Sequence, residues 1–236
     1  MATAVLVSLA ELYRMLEARG LRPLWLSGLV LSAALFLLVA LPGWQSAPLW
    51  PLAALLLLAA ALMRGAEPAQ ALPAAAFTLL AAVYLGALGG TLAALRLLRP
   101  ADLGAWRVTL LLAIIMGSDT LAFFVGRALG RHKLAPHISP GKTVEGALGG
   151  LLGGVAGALA VRAWGLPELP LSHALLLGAL VAAFGILGDL VESLLKRWAG
   201  VKDSGGLFPG HGGMLDRLDS LLFGAPVLYY YFLYVP

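Results

Sequence analysis

A series of long, nearly uninterrupted apolar runs limits most strongly what this chain can fold into. Seven stand at roughly 23–41, 48–63, 73–98, 107–129, 143–164, 172–198 and 217–235. About 20 consecutive apolar residues span a bilayer as a helix. Of 236 residues, 61% are hydrophobic and 12% charged; soluble domains average about 25% charged. The alternating pattern of membrane strands is absent. The expected fold is all-α: a polytopic integral membrane helical bundle of about seven transmembrane helices with a polar site at its cytoplasmic side. The second run is short and is expected to tilt or to thin the bilayer. Residues 2–19 form a weaker helix, either interfacial or the tail of an extra span. The chain reads as a single membrane domain, with 1–70 as N-terminal spans and 71–236 as the part that carries chemistry.

Cysteine is absent, which excludes disulfides, a thiolate nucleophile and a Cys–zinc site. The net charge of +4 is spread over the loops and reads as topology and attraction for anionic substrates, not nucleic-acid binding. The first 20 residues lack the basic start of a cleavable signal peptide. Placing the N-terminus inside puts all 16 Lys and Arg on the cytoplasmic face except Arg96, Arg99, Arg107 and Arg162. Both polar loops, 127–142 and 196–217, then lie on one face. The glycine-rich stretch 146–160 presents a small-residue surface for close helix approach. That surface serves either a homodimer or packing within one chain.

The most polar segment is 193–219, SLLKRWAGVKDSGGLFPGHGGMLDRLD. Charged groups near bilayer depth cost roughly 2.5–3.5 kcal/mol each at a helix centre, so such a cluster marks a working site. In the preceding helix, Asp189 and Glu192 are i,i+3 and Asp189 and Ser193 are i,i+4, all on one face. The glycine-rich stretch KDSGGLFPGHGG is expected as a tight polar loop. Asp216, Asp219 and Ser220 then share a face of the last span. Two helices thus bring carboxylates toward one loop, an oxygen-ligand set suited to magnesium. His211, inside PGHGG, has no apolar face to belong to and is expected at the substrate.

The second cluster is 117–146, with Asp119 followed by Arg127, Arg131, His132, Lys133, His137 and Lys142. Ser139 or Thr143 is expected to cap the fifth span and leave N–H groups for a phosphate. GKT resembles the end of a P-loop, but the full spacing is absent. A carboxylate-held cation, a basic glycine-rich loop and a membrane location suggest phosphoryl or nucleotidyl transfer to a lipid.

Ser193-x-Leu195-Lys196-Arg197, Lys202-Asp203-x-Gly205 and Phe208-Pro209-x-His211-Gly212-Gly213-Met214-x-Asp216-Arg217-Leu218-Asp219 together resemble the signature of phosphatidate cytidylyltransferases. The run DTLAFFVGR…HKLAPHISPGKTVEG is similar to the same family. The resemblance covers about 70–236. It implies transfer of a cytidylyl group from CTP to phosphatidic acid, giving CDP-diacylglycerol and pyrophosphate. The placement of Lys and Arg puts the site at the cytoplasmic face, and the small size without a targeting peptide suits a bacterial inner membrane. The resemblance implies Asp189 and Asp216 as holders of magnesium and a second, monovalent cation for which potassium is the candidate, with Asp219 as the third carboxylate. It adds Lys202 and Asp203 to the catalytic set. It makes Lys196, Arg197, Lys202 and Arg217 phosphate holders, and Ser193, His211, Gly212 and Gly213 substrate contacts. Asp119, Lys142, Thr143 and Glu145 belong to the other shared motif and are also expected at the substrate.

Two positions depart from the family. Gly141 stands where a second Lys is usual, which weakens one cation contact. Ser204 replaces a commonly aromatic residue and is expected to loosen the loop. Family members also often carry one or two more N-terminal spans, and 1–16 reads like the end of one. Two rivals stay open: a CTP-dependent polyprenol or phytol kinase, and an ion-coupled transporter using Asp119 and Asp189. The CDP-alcohol phosphotransferase spacing is not matched by DRLDS.

Overall fold

Apolar runs fold here as helices, in which every backbone polar group is satisfied within its own segment. The structure is a computed structural model that describes residues 1–41, 49–63, 67–208, 210 and 212–235. Its helices are α1 (Ala2–Ala18), α2 (Trp25–Ala40), α3 (Leu49–Met63), α4 (Pro68–Ala81), α5 (Leu88–Leu97), α6 (Gly104–Leu129), α7 (Val144–Gly165), α8 (Leu171–Ala199) and α9 (Leu215–Tyr234). A π-helical turn, Ala82–Ala87, joins α4 to α5 without a break. Each of the seven apolar runs is thus mostly helical over its described residues, while Thr143 at the head of the fifth ends a strand instead. Among the described residues, four stretches are long and apolar enough to cross a membrane: Pro68–Leu97, Ala101–Leu129, Val144–Gly165 and Leu171–Ala199. Helix α2, with 16 residues, is shorter.

One departure from the all-helical expectation is a small hairpin. Strands β1 (Lys133–Ala135) and β2 (Ser139–Thr143) pair antiparallel, with Lys133 opposite Thr143 and Ala135 opposite Ser139. The expected loop SPGKT is therefore the second strand. Its Pro140 sits on a two-stranded ribbon, where a missing N–H is tolerated.

The chain divides into two compact units, Met1–Ala94 with Lys196–Asp216, and Leu95–Leu195 with Arg217–Pro236. In the first, α1 is packed and not peripheral. It buries Val5, Leu9, Leu12, Tyr13, Met15 and Leu16 at helical spacing, together with Ser8 and Glu11. Tyr13 meets Trp25 edge-on at 5.1 Å. Leu35 of α2 packs on Ala82 and Ala87 of the π-helical turn. A Cβ at Gly86 would sit 2.5 Å from the Ser32 carbonyl oxygen, so this approach requires glycine.

The second unit is assembled on glycine. A Cβ at Gly117 of α6 would lie 2.6 Å from the Gly153 carbonyl oxygen of α7, and one at Gly154 would lie 2.6 Å from the Ala182 Cβ of α8. Small residues let backbones touch and gain dispersion contacts that lipid cannot supply. Gly146, Gly149, Gly150, Gly153 and Gly154 are buried within this unit. These glycines of the 146–160 surface are thus used for packing inside the chain. Arg107, 3% exposed, donates to the carbonyls of Leu98 (2.5 Å), Pro100 (3.3 Å) and Arg99 (3.2 Å) and so ties the turn before α6 to its first turns.

Candidate active site

Within the second unit, α8 and α9 approach at glycine. A Cβ on Gly188 would collide with the Asp219 carbonyl oxygen, so only glycine permits this separation. The close approach sets Asp189 and Glu192 of α8 beside Asp219 of α9, with carboxylate oxygens all within 4.8 Å of one another. Glu192 is 1% exposed, while Asp189 and Asp219 are half-buried. Glu192 shares the face of Asp189 in the sequence but does not stand out there as a ligand; its placement comes from the α8–α9 contact. Asp189 Oδ2 pairs with Lys142 Nζ at 2.6 Å, and Oδ1 accepts from Ser193 Oγ at 3.3 Å. Asp219 Oδ1 accepts from the Ser220 N–H.

Asp189 also lines a cleft of about 520 Å³ bounded by Asp119, Arg127, Lys142 and Thr143, with Ala122, Phe123, Leu134 and Ile186 as apolar wall and Gly126, Gly141, Gly146 and Ala147 as its small residues. An apolar cleft with a few converging polar groups is the usual form of a ligand site. Asp119 and Lys142, 23 positions apart in the sequence, thus share one cavity. A Cβ at Gly141 would meet nothing within 4 Å.

The hairpin positions Lys142. Thr143 caps α7, its Oγ1 accepting from Gly146 N–H at 3.0 Å, and the Val144 N–H donates to the His132 carbonyl at 2.9 Å. Of the two cap candidates the helix uses Thr143, and these two amides are occupied by the protein itself. Glu145 reaches back to the two residues just ahead of β1. Its carboxylate accepts from the Arg131 and His132 amides at 3.1 and 3.2 Å, and its Oε1 lies 2.6 Å from His132 Nδ1. Lys133 Nζ donates to the Pro140 carbonyl at 2.8 Å.

The signature loop belongs to the first unit. Helix α8 ends in a Schellman cap: Val201 N–H reaches the Lys196 carbonyl, Gly200 N–H reaches that of Arg197, and Gly200 takes φ +76. Lys196 Nζ meets Asp216 Oδ1 at 2.6 Å. Asp216 Oδ2 accepts from Ser204 N–H (3.0 Å), Ser204 Oγ (2.8 Å) and Gly213 N–H (2.7 Å). Its bond to Gly213 ties the first turn of α9 to an amide ahead of the helix. Gly212 holds φ +80, a left-handed conformation that glycine adopts without strain. Ser204, expected to loosen the loop, is buried and fastens it, because its short hydroxyl fits between carboxylates. Arg197, Lys202, Asp203 and Arg217 are exposed. His211 lies outside the described residues.

A family model described as the cytidylyltransferase family matches residues 1–235. The phosphatidate cytidylyltransferase of Bacillus subtilis is 49% identical over 117 residues, 50% of this chain and 44% of that protein. The Synechocystis protein of the same name is 51% identical over 123 residues, 50% of this chain and 40% of its own length. That of Staphylococcus saprophyticus is 40% identical over 154 residues, 65% of this chain and 57% of its own length. The chain spans about half the length of the curated relatives it matches. A match running from residue 1 to residue 235 shows that this chain belongs to the cytidylyltransferase family.

Proposed function

We propose that this chain transfers a cytidylyl group from CTP to phosphatidic acid, giving CDP-diacylglycerol and pyrophosphate for phospholipid synthesis. One observation carries the reading: Asp189 belongs both to a trio of carboxylates and to a mainly apolar cleft with a few charged groups. A lipid phosphate needs such a place, with cations for its head and an apolar wall for its chains. The relatives named phosphatidate cytidylyltransferase supply the substrate pair.

The donor set fits a divalent cation. Three carboxylates within 4.8 Å, one of them buried, offer hard oxygen ligands and a local excess of negative charge. Asp189, Glu192 and Asp219 would hold magnesium, and Asp216 is the further ligand the family resemblance implies. When bound, the metal offsets charge on phosphate oxygens. A second, monovalent cation such as potassium is part of the same proposal. Arg127 and Lys142 in the cleft, with Lys196, Arg197, Lys202 and Arg217, would neutralise phosphates.

The lipid phosphate is the nucleophile. Its second pKa is about 6, so near neutral pH it is already anionic and needs no strong base. Its oxygen attacks the α-phosphorus of CTP, and pyrophosphate departs. Catalysis is then positioning plus charge neutralisation. The lipid enters laterally with its acyl chains in the bilayer. The site faces the cytoplasm, where CTP is found, and the apolar helices and the distribution of Lys and Arg suit a bacterial inner membrane with about seven spans.

The test is purified protein with labelled CTP, phosphatidic acid and magnesium. Label should pass into the lipid extract, with pyrophosphate released. Phospholipid and CDP as products would instead identify a lipid kinase. Asp189→Asn and Asp216→Asn should each lose most turnover; near-normal rates in both would refute the metal assignment.

A further inference from the structure

We infer that Glu11, on the N-terminal helix, is a positioning residue for the signature loop. Its carboxylate is 3% exposed and therefore closed to substrate. Oε1 accepts from the Met214 N–H at 2.9 Å, and Oε2 accepts from the Leu215 N–H at 2.9 Å. Ser204 Oγ lies 3.3 Å from Oε2.

Met214 and Leu215 open α9, where backbone N–H groups have no partner inside the helix. A carboxylate there satisfies two of them and complements the positive end of the helix dipole. Helices are usually capped by a residue next to them in the chain. Here the cap comes from some 200 positions upstream, so the start of α9 depends on the placing of α1.

Two loop glycines are shaped by the same side chain. A Cβ on Gly205 would sit 2.6 Å from Glu11 Oε1, and one on Gly213 would sit 2.6 Å from both Glu11 oxygens. Neither has positive φ, so the constraint is space and not backbone conformation. Gly206 differs, since a Cβ there would meet nothing within 4 Å. The Ser204 hydroxyl has one proton to donate and lies closer to Asp216 Oδ2 (2.8 Å) than to Glu11 Oε2 (3.3 Å), so the residue that seats the loop also touches a donor to Asp216. Glu11 thus holds the two ends of the loop, 204–205 and 213–215, and by contact with Ser204 and Gly213 orients Asp216.

The kinetic arm of the test rests on the proposed cytidylyl transfer; the amide-exchange arm does not. In full-length protein, Glu11→Gln offers one acceptor where two amides point. Amide exchange at 204–205 and 213–215 should rise about tenfold or more while α6 and α7 keep their protection. Turnover should fall about tenfold or more, with KM for CTP changed less than about threefold. Glu11→Asp keeps the charge and should recover part of both losses. Gly205→Ala should reproduce the Glu11→Gln pattern, and it carries the test if Glu11→Gln does not fold. Gly206→Ala should leave exchange and turnover unchanged. Wild-type exchange at 204–205 and 213–215 in folded Glu11→Gln, or in Gly205→Ala when that variant carries the test, would overturn the inference. So would unchanged kcat with a raised KM. If wild-type protein forms no CDP-lipid, the functional reading fails while the exchange result still decides the role of Glu11.

Discussion

Lys142→Met removes the cation paired with Asp189 of the carboxylate trio while keeping an apolar stem of similar length. The Lys142–Asp189 separation of 2.6 Å corresponds to a gross attraction of about 6 kcal/mol at an effective dielectric of about 20. The two side chains are 24% and 37% exposed. Solvent screening and desolvation therefore reduce the net contribution to about 1–3 kcal/mol. The substitution also leaves Asp189 beside Glu192 and Asp219 without that positive charge. Thermal unfolding in detergent with EDTA should drop by a few degrees, at roughly 2–4 °C per kcal/mol for a chain of this size. Millimolar magnesium should restore at least about half of the deficit, because a bound cation returns positive charge beside Asp189. In the CTP assay, kcat/KM should fall at least about tenfold, equivalent to about 1.4 kcal/mol. Equal melting of variant and wild type in both EDTA and magnesium, with kcat/KM within about threefold, would refute the shared site.

Gly153→Ala places a methyl group against the Gly117 backbone and should destabilise by about 1–3 kcal/mol, read as a lower melting temperature. An unchanged melt would mean that α6 and α7 are not in backbone contact. Arg107→Met leaves the carbonyls of Leu98, Arg99 and Pro100 without their buried donor and should cost about 3 kcal/mol or more. Its signature is increased proteolysis between α5 and α6, and wild-type resistance there would count against it.

Helix positions were legible in the sequence because a long apolar run has few alternatives at bilayer depth. The 172–198 run became Leu171–Ala199 almost unchanged. Carboxylates on one face of α8 were legible too, since i,i+3 and i,i+4 spacing sets the face of a helix whatever it packs against. The motif residues from Ser193 to Asp219 carried the family on their own. The hairpin was not legible: a three-residue strand next to SPGKT leaves no periodic trace, and its pairing is a long-range choice.

Which groups meet was decided only by tertiary structure. Nothing in the order of residues says that Gly188 admits the Asp219 backbone, that Lys142 reaches Asp189, or that Glu11 caps a helix beginning near residue 215. Local spacing determines helix type and face. Contacts between helices depend on how closely two backbones approach, which here turns on whether a Cβ fits at particular glycines. The sequence alone determined helices, faces and family; packing at those glycines decided which charges share a site.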